Sequence, residues 1–175
     1  AGFFNVYREV ANQDVDAVLH LGDYLYEYAA DGYASERAEE LGRVVEPANE
    51  IISLSDYRTR YAQYHRDEDL QAAHAAHPFI VVWDDHEIAN DSWQNGAQNH
   101  NPDTEGSFAD RRLAAIQAWH EWLPVRPPPT MDDIIYRRLQ YGDLLDLLML
   151  DTRHVGRNEL LDYPDFATGG IIDVP

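Results

Sequence analysis

The chain contains no cysteine among its 175 residues. Disulfide bonds and thiolate zinc sites are therefore excluded within it, while the redox compartment stays open. No apolar run approaches the roughly 18 residues that a membrane-spanning helix needs. The opening residues, Ala1-Gly2-Phe3-Phe4, lack the basic region and the long apolar core of a signal peptide, so no signal peptide is visible in this chain.

Basic residues are also scarce, with 13 arginines and lysines against 32 acidic residues and a formal net charge of −19. This balance argues against nucleic acid or an anionic membrane as a partner, because both need a basic surface. It also repels a phosphate-bearing substrate unless cations lie in the site. Three interpretations stay open: the protein does not bind anions, bound metals reverse the sign locally, or the acidic surface serves only solubility.

The residues that are present suit a layered α/β fold with a sizeable core, since 45% are hydrophobic and 11% aromatic. Periodicity predicts helices over residues 2–13, from 55 or 56 to about 75, and from 107 or 110 to about 122. Buried strands are predicted over 15–22 and 79–83, and a hairpin over 134–140 and 144–150. Residues 31–54 are interpreted as a cap or surface loop, partly helical at 34–42.

Three of these strands run directly into polar residues, in the segments LHLGDYLY, FIVVWDDHE and LLMLDTR. Ligands of layered α/β proteins lie beyond the carboxyl ends of strands, so we expect the three strands to be adjacent in one sheet. Several carboxylates in one place repel one another unless a cation is present. A pair of hard or borderline metal ions is therefore expected. The side chains that would meet there are Asp23, Tyr26, Asp84, Asp85, His86, Asp151 and Arg153.

Each of these residues also has an ordinary structural explanation. Asp23 after glycine is typical of a turn, and His86 could be a surface histidine held by Glu87. The segment Asp151-Thr152-Arg153 could form an ion pair at a strand end. The tyrosines of the second helix are expected to serve packing, and the histidines around Pro78 to be structural or exposed. These residues are Tyr57, Tyr61, Tyr64, His74 and His77.

The motifs together carry a resemblance. The sequence Gly22-Asp23-Tyr24-Leu25-Tyr26 matches the GDxxY pattern of two-metal enzymes related to purple acid phosphatases, and WDDHE at 83–87 resembles a variant of their GNHE block. More closely, residues 3–157 resemble the alkaline phosphatase D-type (PhoD-like) phosphatase/phosphodiesterase family. The resemblance implies a metallophosphatase-like β-sandwich flanked by helices. That family also has a ligand-bearing segment before the first helix and a GDxH-like block downstream, so residues 1–175 are expected to be a partial domain, truncated at both ends.

The resemblance also implies roles for individual residues. Asp23 would bridge two metals, Tyr26 would bind ferric iron, and Asp85 would bind the second metal, calcium or another divalent ion. A metal-activated hydroxide would then attack phosphate monoesters and/or diesters. His86 would serve the leaving oxygen as general acid or hydrogen-bond donor. Arg153 would clamp phosphate oxygens, with an ion pair to Asp151 or Asp84 as the competing role, and Asp84 and Asn90 would be ligands or would orient the ligands.

The expected partner is a small phosphate ester or a phospholipid, and the choice between monoester and diester stays open, as does the oligomeric state. Members of the resembled family are commonly exported, so a secreted or periplasmic location is expected. With ligand-bearing segments missing, the 175 residues alone are expected to hold a partly filled metal site with little activity. The alternative is a non-catalytic acidic α/β module, or an inactive fragment, that binds calcium or a protein partner.

Overall fold

The computed structural model describes residues 3–129 and 135–161, and within them helices and strands are mixed as the sequence predicts. Residue 134 of the expected hairpin and the C-terminal sequence IIDVP lie outside the described residues. No helix in the described ranges has both the length and the apolar character needed to cross a membrane. The elements are α1 Val6–Ala11, β1 Val18–His20, α2 Leu54–Tyr64, α3 Glu68–Ala76, β2 Phe79–Val81, α4 Pro102–Glu105, α5 Phe108–Trp122, β3 Arg137–Tyr141 and β4 Leu145–Met149.

The strands form two separate pairs in the described part of the chain. β1 and β2 are parallel, whereas β3 and β4 form the expected antiparallel hairpin around Gly142. The expectation that the three motif strands are neighbours in one sheet is therefore wrong here, because β4 hydrogen-bonds to β3 across a tight local turn. Arg137 connects the hairpin to the first pair by donating from Nη2 to the Val81 carbonyl at 2.5 Å. These two sheets do not establish a β-sandwich.

The two parallel strands differ in burial. All three residues of β2 are buried, as the run of apolar residues predicts. β1 was expected to be buried too, but Leu19 is 50% exposed and Leu21 is 72% exposed. The reason is that β1 alternates: Val18 packs on the core and His20 contacts the Tyr7 hydroxyl, so the residue between them points the other way.

The predicted long helix over 55–75 is two helices. α2 begins one residue after Ser53, whose hydroxyl accepts from the Asp56 N–H while the Asp56 carboxylate accepts from the Ser53 N–H. Asp67 breaks the run, because its carboxylate caps α3 by accepting from the Asp69 and Leu70 N–H groups. Residues 31–53 hold turns but no helix or strand, so the expected helicity at 34–42 is wrong.

Buried side chains of helices α2 and α5 contact the loop that follows β2. Tyr57 and Tyr61 are fully buried, which confirms for these two tyrosines of α2 that they serve packing. The Tyr57 hydroxyl donates to the Ile88 carbonyl at 2.6 Å and accepts from Nε of Arg111 at 3.2 Å. Arg111, buried on α5, thereby connects this helix to the loop that follows β2, and α5 begins after Ser107 as predicted.

We expect Ser53→Ala to destabilise the protein by about 1 kcal/mol, because the Asp56 N–H at the start of α2 loses the hydroxyl that accepts from it, while the backbone N–H at position 53 can still donate to Asp56. Chemical denaturation measures the change. Ser55→Ala, two residues further along in the same helix, is the matched control, and its free energy of unfolding should stay within about 0.5 kcal/mol of the parent's. Equal stability of both variants would contradict the importance of the cap.

Candidate metal centre

The turn after β1 depends on a glycine. Gly22 has φ +109°, a conformation that L side chains rarely adopt, and a Cβ there would lie 2.3 Å from the Asp84 backbone nitrogen. The chain after β1 therefore passes directly against the chain after β2. Asp23 follows with φ +56°, which aspartate and asparagine tolerate better than most residues.

A buried glutamate fixes these two turns to each other. Glu87 Oε1 accepts from the Tyr24 N–H at 2.6 Å and Oε2 accepts from the Asp84 N–H at 2.8 Å. Burial raises the pKa of Glu87 to about 7, although the N–H groups that it accepts from oppose the shift. This structural role of Glu87 was not predicted from the sequence.

Asp23, Asp85 and His86, which we call the acid–histidine cluster, meet beyond the ends of β1 and β2. Each offers one ligand atom, and these three atoms lie within 4.8 Å of one another. Burial, followed by the charges of Asp85 and Asp84 and against the opposing charge of His86, raises the pKa of Asp23. The Tyr26 hydroxyl donates to Asp23 Oδ2 at 3.2 Å, so Tyr26, which was also predicted for this site, contacts the cluster.

The residues present fit a bound cation. Asp23 Oδ1 is buried and has no hydrogen-bond partner in the described part of the chain. A buried carboxylate oxygen without a donor is costly, and a metal ion is one group that removes that cost. Carboxylate, imidazole and phenol groups are suitable ligands for hard or borderline cations.

His86 is oriented by Glu27 and not, as considered above, by Glu87. Nδ1 of His86 lies 2.7 Å from Glu27 Oε2, and Glu27 also accepts from the Asn90 N–H and the Asn99 side chain. Burial lowers the pKa of His86, but the hydrogen bond and charge of Glu27 outweigh it and the net pKa is raised. Sequence reasoning missed Glu27 because nothing in a tyrosine-rich segment indicates which way its side chain points.

Arg153 approaches the cluster from the segment after β4. Its Nε donates to Asp84 Oδ1 at 2.5 Å, and Nη2 lies 3.3 Å from Asp85 Oδ1. Asp151 was expected in the cluster, but it does not belong to the group of ligand atoms. Its Oδ1 accepts from the backbone N–H groups of Arg153 and His154, so it shapes the turn that carries the arginine.

The two histidines around Pro78 have structural contacts, as expected. His74 Nε2 lies 2.9 Å from the Tyr24 hydroxyl and its ring stacks on Phe79. Burial lowers the pKa of His74 to about 4, so the ring stays neutral in the interior. His77 Nε2 contacts the Val10 carbonyl at 3.0 Å, and its backbone is extended before the proline.

Comparisons with known proteins identify the family of this chain. The family model described as PhoD-like phosphatase matches residues 1–168. Alkaline phosphatase D of Bacillus subtilis (strain 168) is 42% identical over 156 residues, which are 87% of this chain and 26% of that protein. A solved chain described as "Structure of PhoD" superposes with a TM-score of 0.75 at 40% identity, over 87% of this chain and 29% of that chain. The chain thus spans less than a third of these relatives, and it belongs to the PhoD-like phosphatase family.

Proposed function

We propose that the protein is a metal-dependent phosphoesterase that hydrolyses phosphate monoesters and/or diesters at a two-metal site, and that this chain supplies part of that site. The observation that carries the proposal is the acid–histidine cluster, with its three ligand atoms within 4.8 Å and a buried, unpartnered Asp23 oxygen. Family membership supports a phosphatase and does not favour the alternative of a non-catalytic acidic module. Because the chain spans about a quarter of alkaline phosphatase D, the activity is a proposal for the whole protein.

Three side chains would hold the metals. Asp23 has a ligand atom within 4.8 Å of one on Asp85 and accepts from the Tyr26 hydroxyl, so it would be the bridging ligand. Tyr26 would be the ligand of ferric iron, and Asp85 the ligand of calcium or another divalent ion. When bound, such ions supply positive charge for the phosphate group and lower the pKa of a water for attack on it. Burial and the charge of Asp23 raise the pKa of Tyr26, so its phenolic proton leaves only when a cation replaces it.

His86 and Arg153 are assigned to the phosphate ester itself. Since Nδ1 of His86 is held by Glu27, Nε2 is the nitrogen available to the leaving oxygen. In the metal-free protein the pKa of His86 is raised, and the Glu27 hydrogen bond that contributes to it also favours a protonated ring, which suits a donor to developing negative charge. Arg153 neutralises Asp84 and Asp85 in the structure, and a phosphate that arrives between them would meet the same guanidinium.

The remaining assignments are also proposals. Residues 1–175 are interpreted as a partial metallophosphatase domain with 31–54 as a cap or surface insertion. The substrate is a small phosphate ester or a phospholipid, and an exported location follows from the family resemblance. The direct test is turnover of p-nitrophenyl phosphate and bis(p-nitrophenyl) phosphate by the full-length protein. Activity should be lost with a chelator and restored by iron together with calcium; chelator-resistant hydrolysis would contradict the proposal.

We expect Tyr26→Phe to remove any visible phenolate-to-iron absorption band and to weaken iron retention at least about tenfold, because the phenolic oxygen is lost. Iron content after dialysis and the visible spectrum measure both effects. Tyr33→Phe is the matched control, because Tyr33 stacks on Tyr26 but is not assigned to the metal. A Tyr26→Phe protein that keeps its colour and iron would reduce Tyr26 to packing.

We expect Glu27→Gln to lower the pKa of His86 in the metal-free protein. Burial lowers this pKa, and the hydrogen bond and charge of Glu27 oppose burial together with the charges of Asp85 and Asp23, so the loss of the Glu27 charge lowers the pKa. The NMR titration of the His86 ring measures the shift. Glu39→Gln, on the exposed surface, is the control. An unchanged His86 titration in Glu27→Gln would show that the contact does not set the protonation state.

A further inference from the structure

We propose that a cavity beside the acid–histidine cluster binds the alcohol half of the phosphate ester, and that it selects alcohols that carry a neutral planar ring. This inference rests on the proposed function and adds a substrate class to it. The cavity has a volume of about 360 Å³, within the range of small-molecule sites. We call it the tyrosine cavity; its principal lining residues are Phe4, Tyr26, Tyr28, Tyr33, Tyr64 and Arg60.

Tyr26 belongs to both the cavity and the candidate metal centre. Its ring forms part of the cavity wall, while its hydroxyl donates to Asp23 Oδ2 at 3.2 Å. The same ring lies 4.3 Å, centroid to centroid, from the ring of His86, the residue assigned to the leaving oxygen. If the phosphate of an ester lies at the cluster, its leaving alcohol lies next to His86. The rest of the alcohol can then enter the cavity along the Tyr26 ring.

Aromatic rings form much of the cavity wall next to Tyr26. Tyr33 is 68% exposed, yet it stacks on Tyr26 with a centroid distance of 5.7 Å and an interplanar angle of 23°. Its ring also lies 5.9 Å from that of Tyr28. An exposed tyrosine on an irregular loop is commonly unoriented, whereas this one extends a row of rings from the cluster outward. Such a row favours a planar partner, which gains offset or edge-to-face contacts.

A buried cation, Arg60, holds in place the two segments that line the cavity. Arg60 is 1% exposed and its guanidinium donates to the carbonyls of Tyr26 and Tyr28 on one segment. It also donates to the carbonyls of Glu46 and Pro47 on the other segment. Four carbonyls held by one side chain fix both walls, so the cavity does not depend on a ligand for its shape.

The charges around the cavity define what does not fit. Arg43 pairs with Asp67 at 3.0 Å and lies over the Phe4 ring at 5.5 Å, while Arg66 pairs with Glu46 at 2.8 Å. Because these guanidinium groups have carboxylate partners, the cavity does not require an anion. Arg60, by contrast, donates to backbone carbonyls and keeps its positive charge beside the cavity, so a cationic substituent is disfavoured. A neutral ring is the occupant that agrees with both the walls and the charges.

The test uses two non-hydrolysable probes, benzylphosphonate and ethylphosphonate, with the metal-loaded full-length protein and calorimetry. The two share the phosphonate and differ in the ring, so we expect benzylphosphonate to bind about threefold to tenfold more tightly. Tyr33→Ala should remove most of that preference, and Tyr33→Phe should retain it. Tyr136→Ala is the control, because Tyr136 is 58% exposed and does not line the cavity, and it should keep the full preference.

Equal binding of the two phosphonates, or an undiminished preference in Tyr33→Ala, overturns the inference and leaves the proposed function untouched. Failure of both phosphonates to bind, together with no turnover of p-nitrophenyl esters, contradicts the proposed function, and the inference fails with it. As a second readout, benzyl alcohol should shift the tyrosine ring resonances of the metal-free protein. Absence of that shift in the unaltered protein would also overturn the assignment of the cavity.

Discussion

Asp23→Asn should deplete the protein of metal and abolish phosphoesterase activity without unfolding it. A bridging carboxylate contacts both ions, so its loss should reduce metal affinity by more than the factor of about 100 seen for residues that only support a ligand. The metal-free variant should be at least as stable as the metal-free parent. The reason is that Asp23 carries a raised pKa among neighbouring carboxylates, and asparagine removes that unfavourable charge while tolerating φ +56°.

The two expectations are measured separately, by metal content with ester turnover and by thermal unfolding of chelated protein. Asp151→Asn is the matched control, because Asp151 lies near Arg153 but outside the acid–histidine cluster. Full metal content with near-normal turnover in Asp23→Asn would refute the assignment of the bridge. A large loss of stability in the metal-free variant would instead show that Asp23 supports the fold.

Gly22→Ala should be the most destabilising of the single substitutions considered, at roughly 2 to 6 kcal/mol. Backbone strain at φ +109° accounts for about 1–3 kcal/mol, and forcing a methyl group into a packed site for about 1–3 kcal/mol more. The added Cβ would meet the Asp84 nitrogen at 2.3 Å, so the ends of β1 and β2 must separate. Metal binding should be lost together with stability.

Chemical denaturation of Gly22→Ala beside Gly142→Ala separates the two causes. Gly142 also has a positive φ, +53°, but a Cβ there meets nothing within 4 Å, so only the strain remains and the cost should be about 1 kcal/mol. If the two variants lose the same stability, the close approach of the two turns is not what requires glycine at position 22.

Features of the fold that depend on neighbouring residues were predictable from the sequence. The β3–β4 hairpin and the start of α5 after Ser107 depend on local turn and capping chemistry, and both are confirmed. The break between α2 and α3 was missed, although Asp67 is a good capping residue, because the apolar pattern continues across it. The Asp67 carboxylate also pairs with Arg43, a tertiary contact that the sequence does not indicate.

The residues of the candidate site also fall into two groups, those that the local sequence indicates and those whose partners are distant in the chain. Asp23 and Asp85 were identified because each follows a strand directly, and the structure brings them together with His86. Glu27 and Glu87 were not, because their partners are about 60 residues away in the chain. The exposed face of β1 was missed for a similar reason, since an apolar sequence states what a strand prefers but not how many neighbours it has. Roles of single residues toward a metal stay predictions.

The carboxylate of Glu87 has a consequence for how ions are exchanged. Because it accepts from backbone N–H groups on both turns, the spacing between Asp23 and Asp85 is set by the polypeptide before any ion arrives. An incoming ion then meets these two carboxylates already in place, and this part of the chain does not have to rearrange to receive it. One ion could therefore replace another without refolding, and the identity of the bound metal would follow supply and ligand preference rather than the order of assembly.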